Sequence, residues 1–272
     1  MDFKFKEKYN IDDLVEIVKI LRSPNGCPWD KVQTHESIRQ GFIEEVYEAI
    51  DAIDSKDTEH LKEELGDVLL QVVFHCELES EKNSFKLEDV ADGICKKMII
   101  RHPHVFGSVT ADTTEEVLKN WDEIKMNSHS QKTASEAMDS VSKTLPSLMR
   151  SEKLQKKASR AGVDFADTNC ALQSVSDSFE ALKTAISDNN TKAYEKKLGE
   201  LLFSVVGLSR FISADCEKSL YFACDDFIGK FKAFEKLANQ KGIKIQNSDA
   251  EILNKLWNEF LEKEKNLEEN VK

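Results

Sequence analysis

Proline and glycine are scarce, at four and ten in 272 residues. So little punctuation excludes a many-turned sandwich or barrel and fits long helices with few connections. Long hydrophobic runs are also missing; stretches such as Val68-Leu69-Leu70 fall far short of a membrane span. The first ten residues alternate charged and aromatic side chains without an apolar h-region, so the chain is expected to be cytoplasmic. Cations are in deficit, 38 Lys and Arg against 50 Asp and Glu, for a formal charge of −12. A nucleic-acid polymer or an anionic membrane is therefore not expected as a partner, although a small anion escorted by metal is compatible. The six cysteines, Cys27, Cys76, Cys95, Cys170, Cys216 and Cys224, form no CxxC pair and read as reduced thiols in packed helices.

What is present is helical periodicity. It marks Asp12–Leu21, Ile38–Ala52, His60–Leu78 and Leu87–Ile99, then Ser147–Arg160, Leu172–Ile186, Tyr194–Ile212, Leu220–Gln240 and Ala250–Glu264. No strand-like alternation occurs, which predicts an all-α protein. Between the two sets, Met126–Thr144 is rich in Ser, Thr and Lys and reads as a linker with some nascent helix. The expected organisation is an N-terminal domain over 1–126, a linker over 127–145 and a second domain over 146–272. An internal echo joins the halves: Leu65-Gly66-Asp67-Val68-Leu69-Leu70-Gln71-Val72-Val73 recurs as Leu198-Gly199-Glu200-Leu201-Leu202-Phe203-Ser204-Val205-Val206. The halves look like diverged copies of one helical unit.

Chemistry concentrates in the first copy. At about 100° per residue, Glu44, Glu45 and Glu48 share one side of their helix and the apolar residues the other. Glu63, Glu64 and Asp67 repeat the spacing on the next helix. That helix is apolar nearly all round from Val68 to Leu78, as a buried helix is, yet Glu64, Asp67, Gln71 and His75 stripe it with polar groups. A buried unpaired carboxylate costs several kcal/mol, so the stripe calls for a cation or a wet cleft. The short loop Asp54–Glu59 makes the helices antiparallel neighbours, about 8–10 Å apart, with Glu45 and Glu48 facing Glu64 and Asp67. Such oxygens suit a hard divalent ion, Mg²⁺ above all. The competing reading is a solvated acidic face.

The pattern Glu45-x-x-Glu48 followed by Glu64-x-x-Asp67 resembles the metal-binding signature of the MazG family, all-α nucleoside triphosphate pyrophosphohydrolases. Gly26-Cys27-Pro28-Trp29-Asp30 and Gln33-Thr34-His35-Glu36-Ser37 look like the family's loop before the first acidic helix. Arg101-His102-Pro103-His104-Val105-Phe106-Gly107 looks like the loop after its third. Trp121 with Lys125, then Leu145-Pro146, Lys153-Leu154-Gln155 and Ala161-Gly162, carry the resemblance into the second half. It implies cleavage between the α- and β-phosphates with Mg²⁺ or Mn²⁺, on two four-helix-type units that pair as a homodimer. It implies Glu45, Glu48, Glu64 and Asp67 as ligands, with Glu44 and Glu63 behind them or orienting water. Lys97 and Arg101 would grip phosphate, and Trp121 and Lys125 would contact the nucleotide. Trp29 stacks on a base or packs in the core. His102 and His104 bind metal or substrate, or cap and pack.

The second copy departs from this pattern. Lys197 and Glu200 replace Glu64 and Asp67, Lys196 replaces Glu63, Asp177 and Glu180 make no clean pair, and Asp226 and Lys230 stand where Lys97 and Arg101 would recur. Protonated lysine cannot ligate Mg²⁺. Hydrolysis is accordingly expected of the first half, and packing or dimerisation of the second. Two rivals stand beside this: a narrower dNTP or dUTP pyrophosphatase, and a catalytically idle helical dimeric regulator. The Gly26–Asp30 and Arg101–Gly107 loops speak against the former, the intact first acidic set against the latter.

Overall fold

A computed structural model describes residues 3–111, 113, 114, 116, 117, 124, 133–189 and 191–269, without side chains for 247 and 265–269. Its described residues hold helices and no strand, and none of the helices is long and apolar enough to cross a membrane. The chain divides into two compact units, Met1–His129 and Ser130–Lys272.

The first unit is built on a helical hairpin, α3 (His35–Ser55) and α4 (Thr58–Ser80). Thr34 and Ser37 form the capping box that starts α3, left-handed Lys56 ends it, and Asp57 caps α4 by accepting from Glu59 N and His60 N. Helix α1 (Ile11–Arg22) lies on α4, and its Val18 meets Ile38, Val73, Phe74 and Leu78 in the core. Short α2 (Pro28–Lys31) follows, then α5 (Leu87–Arg101) and α6 (Pro103–Phe106). Arg22 ties one end together: Nε and Nη2 donate to the Glu81 carboxylate at 2.7 and 2.9 Å, and Nη1 to the Asp30 and Gln33 carbonyls at 2.6 and 3.2 Å. Its guanidinium also lies over Phe74, 5.2 Å from the ring centroid. Gly26 has no room for a side chain, since a Cβ there would collide with the Leu21 and Ile20 carbonyl oxygens.

The second unit repeats the hairpin as α9 (Thr168–Ser187) and α10 (Thr191–Phe211). The correspondence holds one sequence offset throughout: capping Asp167 answers Thr34, left-handed Asn189 answers Lys56, and fully buried Val206 answers Val73. Helix α8 (Ser147–Arg160) packs on α10, and α7 (Ala134–Asp139) on α8. The stretch read as a linker with some nascent helix holds α7, which Thr133 and Glu136 start with a capping box, and Val141 after it is buried. Helix α11 (Cys216–Gln240) begins a turn before the periodicity does, at the Asp215 cap. A 3₁₀ turn (Ile245–Asn247) leads to α12 (Ala250–Glu269), and Phe234, Ala238, Leu256 and Phe260 form their shared core.

Candidate metal centre

Three carboxylates converge across the α3–α4 hairpin. One oxygen each from Glu45, Glu48 and Glu64 lies within 4.8 Å of the others. Glu64 is only 7 % exposed, Glu45 is half-buried and Glu48 faces solvent. Asp67 stands outside this tight cluster, but its charge acts on both Glu45 and Glu64. Burial first, then the charges of Asp67, Glu48, Glu64 and Glu44, raises the Glu45 carboxyl above its usual range. Glu64 is raised by burial and by Glu48, with partial relief from His60. Helix geometry produces the cluster: Glu45 and Glu48, three apart on α3, meet Glu64 on the second turn of α4.

Glu64 is incompletely satisfied. His60, one turn earlier, places Nε2 3.0 Å from Oε1, while the buried Oε2 has no partner. An orphaned buried carboxylate oxygen beside two more carboxylates is the donor set of a hard divalent cation, and Mg²⁺ or Mn²⁺ fits these residues. His60 escaped the sequence reading, although its placement four residues before Glu64 signals the contact. A second grouping also escaped it: His35 Nδ1 lies 2.7 Å from His75 Nδ1, and His35 Nε2 lies 2.7 Å from Glu79. Lys82 and His35 together hold the Glu79 carboxyl down at about 2. His75, in the polar stripe of α4, thus serves the motif at the start of α3 and not the acids.

The other expected residues are less gathered. Glu44 is exposed and accepts from Gln40 at 3.1 Å, and Glu63 is exposed beside Glu64. Lys97 and Arg101 lie on the last two turns of α5, where Lys97 is exposed and, among the described residues, has no ion-pair partner. Trp29 is 66 % exposed on α2, so packing in the core of this chain is excluded. His102 Nδ1 sits 2.6 Å from Met98 O at the end of α5. Trp121 and Lys125 lie outside the described residues. The helix expected to be buried is only partly so: Leu65 and Leu69 are 54 % and 41 % exposed, and α3 shows Ile43, Val46, Ile50 and Ile53. Within a single chain Glu45 and Glu64 are sheltered while apolar side chains of both helices are exposed.

In the second hairpin the offset that pairs the caps puts Ser178, Ala181, Lys197 and Glu200 where Glu45, Glu48, Glu64 and Asp67 stand. Lys197 binds Glu200 at 2.8 Å, and Lys230 binds Asp226 at 2.6 Å. Among the described residues of the second hairpin, no three acids, histidines or cysteines bring ligand atoms within 4.8 Å of one another.

The MazG nucleotide pyrophosphohydrolase domain model matches residues 33–106, which contain the whole acidic hairpin. The nucleoside triphosphate pyrophosphohydrolase/pyrophosphatase MazG of Thermotoga maritima is 39 % identical over 246 residues, covering 90 % of this chain and 93 % of that protein. The nucleoside triphosphate pyrophosphohydrolase of Escherichia coli K12 is 34 % identical over 259 residues, covering 93 % and 98 %. YabN of Bacillus subtilis is 41 % identical over 255 residues, covering 92 % of this chain and 51 % of that protein. With likeness running the length of both chains in the first two cases, and an acidic hairpin at the matched residues, this chain belongs to the MazG family of nucleoside triphosphate pyrophosphohydrolases.

Proposed function

We propose that the first unit hydrolyses nucleoside triphosphates to the monophosphate and pyrophosphate in a reaction requiring Mg²⁺ or Mn²⁺, and so clears surplus or noncanonical nucleotides. The observation that carries the reading is the convergence of Glu45, Glu48 and Glu64 around an orphaned Glu64 oxygen. Glu45, Glu48, Glu64 and Asp67 would hold the ion, which when bound supplies positive charge against the triphosphate oxygens.

The protein's remaining work is positioning. Lys97 and Arg101, one turn apart on α5, offer cationic donors to phosphate. Glu44 and Glu63, each next in sequence to a ligand and open to solvent, orient the attacking water. Trp29, exposed beside the start of α3, gives a ring for a base to stack on. Trp121 and Lys125 are proposed as nucleotide contacts on the resemblance alone. No nucleophilic side chain enters, since water is the nucleophile.

We propose further that the protein is a homodimer. Ile43, Val46, Tyr47, Ile50 and Ile53 make an exposed apolar stripe along α3, continued by Leu65 and Leu69 on α4, and such a stripe is stable only when covered. Light scattering that gives a monomer mass at micromolar concentration would contradict this.

The test of the activity is a panel of canonical and damaged nucleotides, with and without Mg²⁺, products resolved by chromatography. Monophosphate and pyrophosphate, formed only with metal and lost in Glu64→Gln, support the reading; diphosphate and phosphate overturn it.

A further inference from the structure

The second unit has lost the acids but not the space. A cavity of about 1030 Å³ opens in it, and Ser178, Lys196 and Glu200, the counterparts of Glu45, Glu63 and Asp67, stand in its wall. The cavity thus borders the second hairpin's equivalent of the metal centre, where the charge has changed; Ala181 and Lys197, the counterparts of Glu48 and Glu64, stand outside its lining. The first hairpin presents Glu63, Glu64 and Asp67; the second presents Lys196, Lys197 and Glu200. Both carboxylates of the cavity wall are already engaged, Glu200 by Lys197 at 2.8 Å and Lys196 at 3.9 Å, and Asp164 by Arg210 at 2.6 Å. A divalent cation is disfavoured there and an anion is not.

The rest of the lining is built for a flat apolar group. Phe165 and Phe203 contribute rings, Leu154 and Ala158 aliphatic surface. Gln155 is 7 % exposed; its Nε2 donates to Phe203 O at 2.7 Å, and its Oε1 is a buried acceptor without a donor. Gly207 makes this arrangement possible, because a Cβ there would meet Phe165 at 2.9 Å and Gln155 Oε1 at 3.1 Å. The first unit has buried Phe74 at the corresponding position; in the second copy Phe165 and Gln155 take the room that its ring would need. A volume near 1000 Å³ with apolar walls and few polar groups suits a small organic ligand.

We infer that this cavity binds a nucleoside monophosphate without metal, the base against Phe165 and Phe203, a ring or amino N–H on Gln155 Oε1, and the phosphate toward Lys196. This goes beyond the activity of the first unit and does not require it.

Calorimetric titration of the full chain with AMP, GMP, CMP and UMP in excess EDTA tests the inference. At least one should bind at one per chain. Gly199→Phe projects a ring into the cavity from a helical position where a Cβ meets nothing within 4 Å, and should weaken binding at least tenfold. Lys196→Glu, a surface exchange, should weaken it about as much. Magnesium-dependent triphosphate hydrolysis should be unchanged in Gly199→Phe. The inference is overturned if none of the four binds in EDTA, if binding survives Gly199→Phe, or if Glu64→Gln abolishes it. Metal-free binding without any hydrolysis would leave this inference standing and remove the catalytic proposal; hydrolysis without metal-free binding would do the reverse.

Discussion

Arg22 gives the first unit a dependence that can be worked out contact by contact. Its side chain is 6 % exposed and makes hydrogen bonds to three residues from two segments, the turn that holds Asp30 and Gln33 and the end of α4 at Glu81. The bonds to the Asp30 and Gln33 carbonyls are charge-assisted and sheltered, worth about 1.5 kcal/mol each. The Glu81 carboxylate is 41 % exposed, so solvent screening reduces that pair to about 0.5 kcal/mol despite its forked geometry. The guanidinium over Phe74 adds roughly 0.5 kcal/mol. Arg22→Ala should therefore destabilise the first unit by about 4 kcal/mol, a large share of a typical domain's stability. Arg22→Lys should recover less than half of this, because an ammonium cannot reach both carbonyls and the carboxylate in one plane. Urea unfolding followed by tryptophan fluorescence in a Trp257→Phe background reads this out, since Trp29 belongs to the first unit and Trp257 to the second. A loss under about 1 kcal/mol for the alanine variant would refute the reasoning.

Further outcomes follow from the same structure. Glu64→Gln should abolish hydrolysis yet raise the melting temperature of metal-free protein, because a neutral amide ends the repulsion from Glu48 and Asp67; a lower melting temperature in EDTA would speak against a strained acid cluster. Gly26→Ala should cost at least about 2 kcal/mol, since two backbone carbonyls stand where the methyl would go; circular dichroism melts test it. Arg210 and other donors hold the Asp164 carboxyl down at about 2, below its ordinary 3.8. A depressed carboxylate stabilises the fold above the unfolded value, so this contribution is complete above about pH 4 and disappears as pH falls to about 2. Asp164→Asn should flatten that acid limb in denaturation curves, and an unchanged limb would count against the pairing.

The fold was legible in the sequence because its signals are local. Apolar spacing at helical period and the scarcity of Pro and Gly are read without knowing what lies across the core. The short helix at Ala134 was harder, because its six residues show too few apolar positions to outweigh the surrounding Ser, Thr and Lys. At the site, the three close acids follow from helix spacing and a short loop. Contacts between distant segments do not: His35 meets His75 and Arg22 meets Glu81 only after the hairpin and α1 have docked. Nor does periodicity say which face a partner covers, so a helix apolar on most sides reads as buried although Leu65 and Leu69 are open in one chain. The cavity of the second unit had no sequence signature, since Gln155, Phe165 and Phe203 line it from three separate segments.

The acids of the first hairpin, and not their counterparts in the second, are proposed to bind the catalytic cation. A crystal structure of the full chain grown with Mn²⁺ and a non-hydrolysable triphosphate analogue tests it most directly, because anomalous scattering locates manganese without reference to the protein. The expected result is anomalous density among Glu45, Glu48 and Glu64, within reach of Asp67, and none beside Lys197 and Glu200. Manganese at the second hairpin, or analogue bound in the first with no metal between it and these carboxylates, would contradict the account.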